Sequence, residues 1–339
     1  EGAKLSKKQA TASSGIKTVY WLEEFDSVFS KLMKESTHFY YNNNEHYRQA
    51  VEMETREDRF LKMIKSSYPN HKLLPSFPIM ESLRGVKEVE EITLIKKACD
   101  ITEKGFRRIL GFVKPGVMEY EIEAEYAHEF LRNRSKGFAY TPIIGSGYNA
   151  CVLHYIENNQ ECKDGDLLLM DVAAEYANYS SDMTRTIPVN GRFTARQKSV
   201  YQAVLNVKNE ATKLLAPGIM WDAYHVEVGK LMTSELLSLG LIDKADVQNE
   251  DQKWPAYKKY FMHGTSHHMG LDTHDFGTLK SPMQSNMVFT VEPGIYIPEE
   301  NMGIRLEDDV VIQTSGYPVN LMQNIPIEID EIESLMKSN

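Results

Sequence analysis

Four carboxylates stand in stretches of sequence that are otherwise largely apolar. Asp171 follows the run Leu167–Met170, and Asp182 comes eleven residues after it. Glu292 and Glu307 each lie late in a segment rich in β-branched residues. An unpaired carboxylate in a buried strand is costly, whereas a bound cation offsets the repulsion between neighbouring carboxylates. These four residues are therefore candidate metal ligands.

Histidines cluster in one glycine-bearing segment. Residues 262–275 read Met-His-Gly-Thr-Ser-His-His-Met-Gly-Leu-Asp-Thr-His-Asp and hold four of the ten histidines of the chain. Glycines let the backbone approach a ligand closely, so the cluster favours metal binding or catalysis. A further histidine, His154, lies in the apolar sequence Cys151–Tyr155, which we interpret as a strand.

One imidazole and four carboxylates make an oxygen-rich site without thiolates. Such a ligand set suits a pair of Mn²⁺, Co²⁺ or Zn²⁺ ions better than a structural zinc ion. A pair of divalent ions can prepare a hydroxide nucleophile and polarise the carbonyl that it attacks. The chemistry indicated is hydrolysis.

The elements that must position these residues begin with a long amphipathic helix, predicted from about Val86 by apolar residues at helical spacing. It ends at a Pro-Gly break, Pro115–Gly116, and a second helical stretch closed by a glycine follows. The same order recurs from Thr194, with its break at Pro217–Gly218. Two such pairs, each leading into strand-like sequence, predict an α+β fold of duplicated αβ halves around a shared sheet.

Four segments rich in β-branched and aromatic residues predict strands, and they carry the four acidic candidates. The segments are residues 166–175, 179–188, 287–297 and 303–312. If the first two form a simple hairpin with its turn near Tyr176 and Ala177, Asp171 and Asp182 face each other across it. The alternatives are ordinary. One aspartate could point to solvent or cap a turn, and each glutamate could lie at the surface.

Composition restricts the class of protein. A chain of 339 residues with 42% apolar and 25% charged residues is typical of a globular protein with a large and a smaller domain. The formal net charge of −10 argues against a nucleic-acid partner, although acidity is common among cytoplasmic proteins. Three cysteines without C-x-x-C spacing favour a reducing compartment. With no signal-peptide core and no membrane-spanning run, we expect a cytoplasmic enzyme without a membrane partner.

In order and spacing these motifs resemble the pita-bread metallopeptidases. The resemblance joins the two aspartates, the histidine segment, Thr-Val-Glu-Pro-Gly at 290–294 and Ile-Arg-Leu-Glu-Asp-Asp at 304–309. It implies a pita-bread catalytic domain over residues 83–339. Residues 1–82 then correspond to part of a smaller α/β N-terminal domain and a linker, the prolines of Leu74–Pro78 suiting an extended chain. Because that domain is normally longer in the family, we expect residues 1–82 to be a truncated form of it.

The resemblance also implies roles for individual residues. The implied metal ligands are Asp171, Asp182, His267, Glu292 and Glu307. Glu292 would also handle the proton of the bridging water, and His274 would donate to the carbonyl oxygen as it becomes an oxyanion. His154 would contact the substrate near the scissile nitrogen. Arg305 and Tyr296 would lie behind the ligands.

His263 is similar to an additional histidine of the proline-specific branch, which methionine aminopeptidases lack. The stretches Leu153–Asn158 and Met262–His267 are most similar to bacterial Xaa-Pro aminopeptidases, also called aminopeptidase P. This resemblance implies that a metal-bridged hydroxide cleaves the bond between an N-terminal residue and a penultimate proline. It also implies two divalent ions, Mn²⁺ ahead of Co²⁺ or Zn²⁺, peptide substrates with proline at position two, and a homo-oligomer, either dimer or tetramer.

Three other functions share parts of this pattern. An Xaa-Pro dipeptidase (prolidase) has the same ligands and differs in accepting only dipeptides. A creatinase-like amidinohydrolase is disfavoured because the full ligand set is present. The fold also occurs as a metal-free binding module, but such relatives have lost ligands that this chain retains.

Overall fold

The computed structural model describes residues 2–42, 53–251 and 253–337. It divides into two compact units, Glu1–Met80 and Glu81–Asn339. None of the helices in those described ranges combines the length and the apolar character needed to cross a bilayer.

The first unit is a small α/β arrangement. Its elements are α1 (Lys7–Ser14), α2 (Phe25–Glu35), β1 (His38–Tyr41), α3 (Arg56–Ser67) and β2 (Lys72–Pro75), followed by α4 (Phe77–Gly85), in which the division between the units falls. Strands β1 and β2 pair in parallel. The extended linker predicted through Leu74–Pro78 is wrong. Pro75 ends a strand, and Pro78 is the second residue of α4, where a backbone N–H has no intrahelical partner and proline is tolerated.

The second unit contains the two predicted helix pairs. Its helices are α5 (Val89–Leu110), α6 (Glu119–Arg132), α7 (Ala195–Leu214), α8 (Trp221–Ser238), α9 (Lys244–Gln248) and α10 (Ile329–Lys337). The glycines of the two Pro-Gly turns have nearly equal φ values, 93° at Gly116 and 91° at Gly218. Both values lie in the left-handed region that favours glycine. The two turns are therefore equivalent in conformation as well as in sequence.

Each helix pair is followed by a three-stranded antiparallel sheet. The strands are β3 (Ile143–Ser146), β4 (Leu167–Asp171), β5 (Glu175–Tyr176), β6 (Tyr179–Ser180), β7 (Thr184–Pro188), β8 (Val288–Val291), β9 (Gly294–Ile297), β10 (Met302–Arg305), β11 (Asp308–Val311) and β12 (Val319–Asn320). Their orders are β3-β4-β7 and β12-β11-β8, with β5-β6 and β9-β10 as two-stranded pairs. The two halves meet where Glu307 N–H donates to Thr184 O at 3.0 Å.

The predicted strands are each divided in two close to the acidic residue, and the predicted pairing of the aspartates is wrong. Asp171 lies opposite Thr184, whereas Asp182 lies between β6 and β7. The turn is centred on Ala177 and Asn178, which have φ values of 53° and 70°, one residue later than predicted. Because a shift of one residue at the turn moves the cross-strand partner by two, Asp182 falls out of register with Asp171.

Candidate metal centre

Three of the predicted ligands come together in the folded chain. Asp182, His267 and Glu307 are all buried, and each offers one ligand atom within 4.8 Å of the others. His267 Nε2 lies 3.4 Å from Asp182 Oδ2 and 3.6 Å from Glu292 Oε1. Both distances exceed an ordinary hydrogen bond. The imidazole nitrogen thus faces two carboxylate oxygens without closing on either of them.

Asp171 borders this cluster from the end of β4. Its Oδ2 accepts from Arg305 Nη2 at 2.6 Å, and its Oδ1 is buried without a hydrogen-bond partner. Burial raises the pKa of Asp171, the charge of Arg305 opposes that effect, and the charge of Asp182 adds to it. A buried carboxylate oxygen without a donor, beside further carboxylates, is the kind of group that a cation satisfies.

The carboxylates repel one another. Burial raises the pKa of Glu307 well above its usual range, and the charges of Asp182, Glu292 and Asp171 raise it further. Burial also raises the pKa of Glu292 to about 7, against the opposing charges of His267 and Arg305. These groups are therefore short of positive charge, and the donor set fits divalent metal ions, which bind deprotonated carboxylates.

His267 shows the same deficit of positive charge. Burial on its own lowers the pKa of this imidazole, but the nearby carboxylates of Asp182 and Glu292 outweigh burial and raise the pKa to about 9. His267 Nδ1 donates to His268 O at 3.0 Å, so that Nε2 points into the cluster. This is the usual arrangement of a metal-binding histidine whose second nitrogen is held by a backbone carbonyl.

Arg305 connects the carboxylates to the histidines. In addition to Asp171, it donates to Thr184 Oγ1 at 3.0 Å and to Tyr296 Oη at 2.9 Å. Tyr296 Oη lies 2.8 Å from His263 Nε2, and burial raises the pKa of Tyr296 to about 12, so the hydroxyl stays protonated. Both residues expected behind the ligands therefore lie in one hydrogen-bonded chain from Asp171 to His263.

The other predicted catalytic histidines differ in exposure. His263 is partly buried, its Nδ1 lies 2.8 Å from Gly264 O, and burial together with Arg305 lowers its pKa to about 3. It is therefore a neutral imidazole. His274 is exposed, and its ring packs edge-on against that of His267 with centroids 4.2 Å apart. His263 thus lies within the site, and His274 lies beside His267 at the solvent boundary.

The prediction that His154 lies in a strand is wrong. It occupies an exposed turn that follows a short 3-10 segment, Gly147–Cys151. The next side chain, Tyr155, is buried, and its hydroxyl donates to Glu119 at 2.8 Å. Tyr155 therefore anchors a loop, and the apolar residues of this stretch do not form a strand. His154 nevertheless lies close enough to His263 to contribute to the lowering of the His263 pKa.

Two residues beside the cluster were not found from the sequence. Asp309 Oδ2 accepts from the backbone N–H of Asp182 at 3.0 Å and from Cys99 Sγ at 3.4 Å. Burial raises the pKa of Tyr140 well above the usual range, and the charges of Asp171, Asp182 and Glu307 raise it further. Asp309 could have been found from the sequence, because like Glu307 it is an acidic residue in an otherwise apolar segment. No local signal marks Tyr140.

Comparison with known proteins gives consistent matches. Residues 93–314 match metallopeptidase family M24. The chain is 35% identical over 347 residues to a Xaa-Pro aminopeptidase of Haemophilus influenzae, covering 99% of this chain and 78% of that protein. It is 41% identical over 271 residues to a Xaa-Pro aminopeptidase of Escherichia coli, covering 76% of this chain and 61% of that protein.

A solved structure extends the similarity to three dimensions. Zinc-substituted Escherichia coli aminopeptidase P in complex with product superimposes with a TM-score of 0.87 at 32% identity, covering 99% of this chain and 79% of that chain. The α+β pita-bread fold expected from the motifs is thereby confirmed.

Proposed function

This chain belongs to metallopeptidase family M24, and we propose that it is a metal-dependent aminopeptidase that removes the N-terminal residue from peptides with proline in the second position. The observation that carries the proposal is the buried cluster of Asp182, His267 and Glu307. The relatives reported above are named as aminopeptidases, which favours this activity over that of an Xaa-Pro dipeptidase.

We propose that two divalent ions bind at this cluster. The ligands would be Asp171, Asp182, His267, Glu292 and Glu307. Mn²⁺ is the ion we favour, because four of the five donors are carboxylates, which suit a hard cation, with Co²⁺ and Zn²⁺ as alternatives. Bound there, such a pair lowers the pKa of a water molecule and polarises the carbonyl group of the substrate.

The protein's own groups would then handle protons and orient the peptide. Burial raises the pKa of Glu292 to about 7, which suits a group that takes up and returns a proton near neutral pH. We propose that His274, exposed beside His267, donates a hydrogen bond to an oxyanion that forms at the substrate carbonyl.

We assign specificity for proline to His263 and His154. A peptide bond to proline has no N–H, so proteases that require that donor handle it poorly. Burial and the charge of Arg305 keep the imidazole of His263 neutral, Gly264 O and Tyr296 Oη orient it, and its Nδ1 lies 3.8 Å from Glu292 Oε2. We propose that His154 contacts the substrate near the scissile nitrogen and that His263 contributes to the preference for proline.

We further propose a cytoplasmic location and a homo-oligomeric state. The location is supported by the three cysteines, none of which forms a disulfide, with Cys99 and Cys162 buried as thiols. The oligomer, a dimer or a tetramer, is proposed from the family resemblance.

Matched peptides test the activity. After reconstitution with Mn²⁺, we expect hydrolysis of an Xaa-Pro-Yaa tripeptide, loss of activity with a chelator, and recovery with Mn²⁺ or Co²⁺. The same tripeptide with alanine second should be a poor substrate. Comparable kcat/KM values on the two tripeptides would reject the specificity. Preference for an Xaa-Pro dipeptide would indicate a dipeptidase, and a protein that neither binds metal nor hydrolyses peptides would be a binding module.

A further inference from the structure

A buried ion cluster holds the segment that carries the histidines, residues His267–Gly277, which we call the histidine loop. Asp275 in this loop has a side chain only 1% exposed. Its Oδ1 pairs with Arg84 Nη2, and its Oδ2 lies 3.2 Å from Lys87 Nζ. Lys87 is equally buried, and burial lowers its pKa while the charge of Asp275 opposes that effect. Nothing in the proposed chemistry uses these three residues.

The backbone of the loop is closely packed against this cluster. A Cβ atom on Gly270 would collide with Asp275 Oδ2 and lie 2.8 Å from Lys87 Cε. Arg84 also donates to Asp272 at 2.6 Å and stacks over the ring of Phe276 at 4.7 Å. The loop is therefore fixed through side chains on several of its residues.

The same cluster is linked directly to the metal ligands. The backbone N–H of Asp275 donates to His268 O at 2.9 Å, and that oxygen also accepts from His267 Nδ1. One carbonyl group thus ties the anchor of the loop to the orientation of the ligand imidazole. In addition, Gly270 O accepts from Ser180 N–H at 2.8 Å, two residues before Asp182.

We propose that Arg84, Lys87 and Asp275 are positioning residues of the active site. They hold the loop so that His267 directs Nε2 into the cluster and His274 stays against the ring of His267. The inference rests on the proposed function for its catalytic consequence. The ordering of the loop by these three residues is inferred from the contacts alone.

A second ion cluster in the same unit provides a matched control. Asp308 is buried between Arg185, whose Nη2 lies 2.6 Å from Oδ1, and Lys208, which pairs with Oδ2. This cluster also contains one aspartate, one arginine and one buried lysine, but its aspartate is in strand β11. Removal of either lysine ammonium should lower the Tm, whereas only removal of Lys87 should release the histidine loop.

The experiment compares Lys87→Met, Lys87→Arg and Lys208→Met. We measure hydrogen exchange of residues 267–277, Mn²⁺ affinity by calorimetry, and kcat and KM on an Xaa-Pro tripeptide. Lys87→Met should accelerate exchange in the loop, weaken Mn²⁺ binding about tenfold and lower kcat by about 10- to 100-fold with a smaller change in KM. Lys87→Arg should restore much of each loss. Lys208→Met should lower the Tm and leave exchange in the loop at its wild-type rate.

The inference is overturned if Lys87→Met keeps wild-type values of hydrogen exchange, Mn²⁺ affinity and kcat. The cluster would then contribute to stability alone. If Lys87→Met does not fold, Arg84→Gln removes the less buried cation and carries the same readouts. Exchange and Mn²⁺ affinity are measured without substrate. A wild-type protein inactive on Xaa-Pro peptides would therefore reject the proposed function without affecting the test of the loop.

Discussion

The carboxylates and the histidines of this site are held by two different kinds of structure. Asp171 ends a strand of a three-stranded sheet, and Glu307 joins two strands and donates its N–H to Thr184 O. The histidine segment 262–275 contains no helix and only an isolated bridge at His268. The two sheets and the residues that directly adjoin their strands therefore position the carboxylates. Backbone hydrogen bonds to β8 also hold the histidine segment as far as Met269, where Thr290 N–H donates to His267 O at 3.1 Å. The residues that follow are fixed in addition by the ion cluster of Arg84, Lys87 and Asp275.

This difference predicts how each group responds to substitution. Ladder hydrogen bonds are shared along a sheet, so a change of one side chain leaves the backbone of a carboxylate ligand in place. The later residues of the histidine loop depend on a few ionic contacts, so the loss of one of them exposes residues 271–277 to rearrangement. Substitution of Asp182 should therefore reduce turnover through loss of the metal, whereas substitution of His274 should separate catalysis from metal binding.

The largest effect is expected from Asp182→Asn. A neutral amide is a poorer ligand and leaves the charge of the site altered, so we expect metal affinity at least about 100-fold weaker and a corresponding loss of turnover. Metal content after dialysis and kcat at saturating Mn²⁺ measure the two losses. Asp100→Asn, on the surface of α5, is the control for a charge change. Normal metal stoichiometry together with a normal rate would mean that Asp182 is not a ligand.

His274→Ala should separate catalysis from metal binding. The loss of a donor aimed at an oxyanion typically costs about 10²–10³ in kcat, with less effect on KM. We expect this variant to retain its metal and its fold, whereas His267→Ala should lose metal affinity first and recover partly at high Mn²⁺. Metal content, Tm and kcat are measured on both variants. If His274→Ala loses the metal, the two roles are reversed.

The smallest effect concerns the pH dependence of stability in chelator-treated protein. The pKa of Glu292 is raised from 4.5 to about 7, so its stabilising contribution is complete below about pH 4.5 and is lost as the pH rises through 7. The pKa of His267, raised to about 9, acts in the same direction between pH 6.5 and 9. Calorimetry should therefore show Mn²⁺ raising the Tm more at pH 8 than at pH 5. An increase in Tm that is the same at both values would contradict this account.

The sequence by itself determined the chemistry and the order of the parts. Two pairs of acids in apolar stretches and a histidine cluster were enough to predict an oxygen-rich metal site, and recurrent Pro-Gly breaks were enough to predict two equivalent helix pairs. These inferences succeeded because they rest on local signals. Helical periodicity, turn glycines and an acid among apolar residues are all visible within a short window of sequence.

Only the tertiary structure decided which atoms face one another. A turn one residue later than predicted places Thr184 opposite Asp171, and His154 lies in a turn because Tyr155 is anchored to Glu119. The cluster of Lys87 with Asp275 joins residues 188 positions apart, for which no short window carries a signal. Register and long-range ion pairing depend on how separate elements pack, so the sequence could name candidate ligands but not the contacts that hold them.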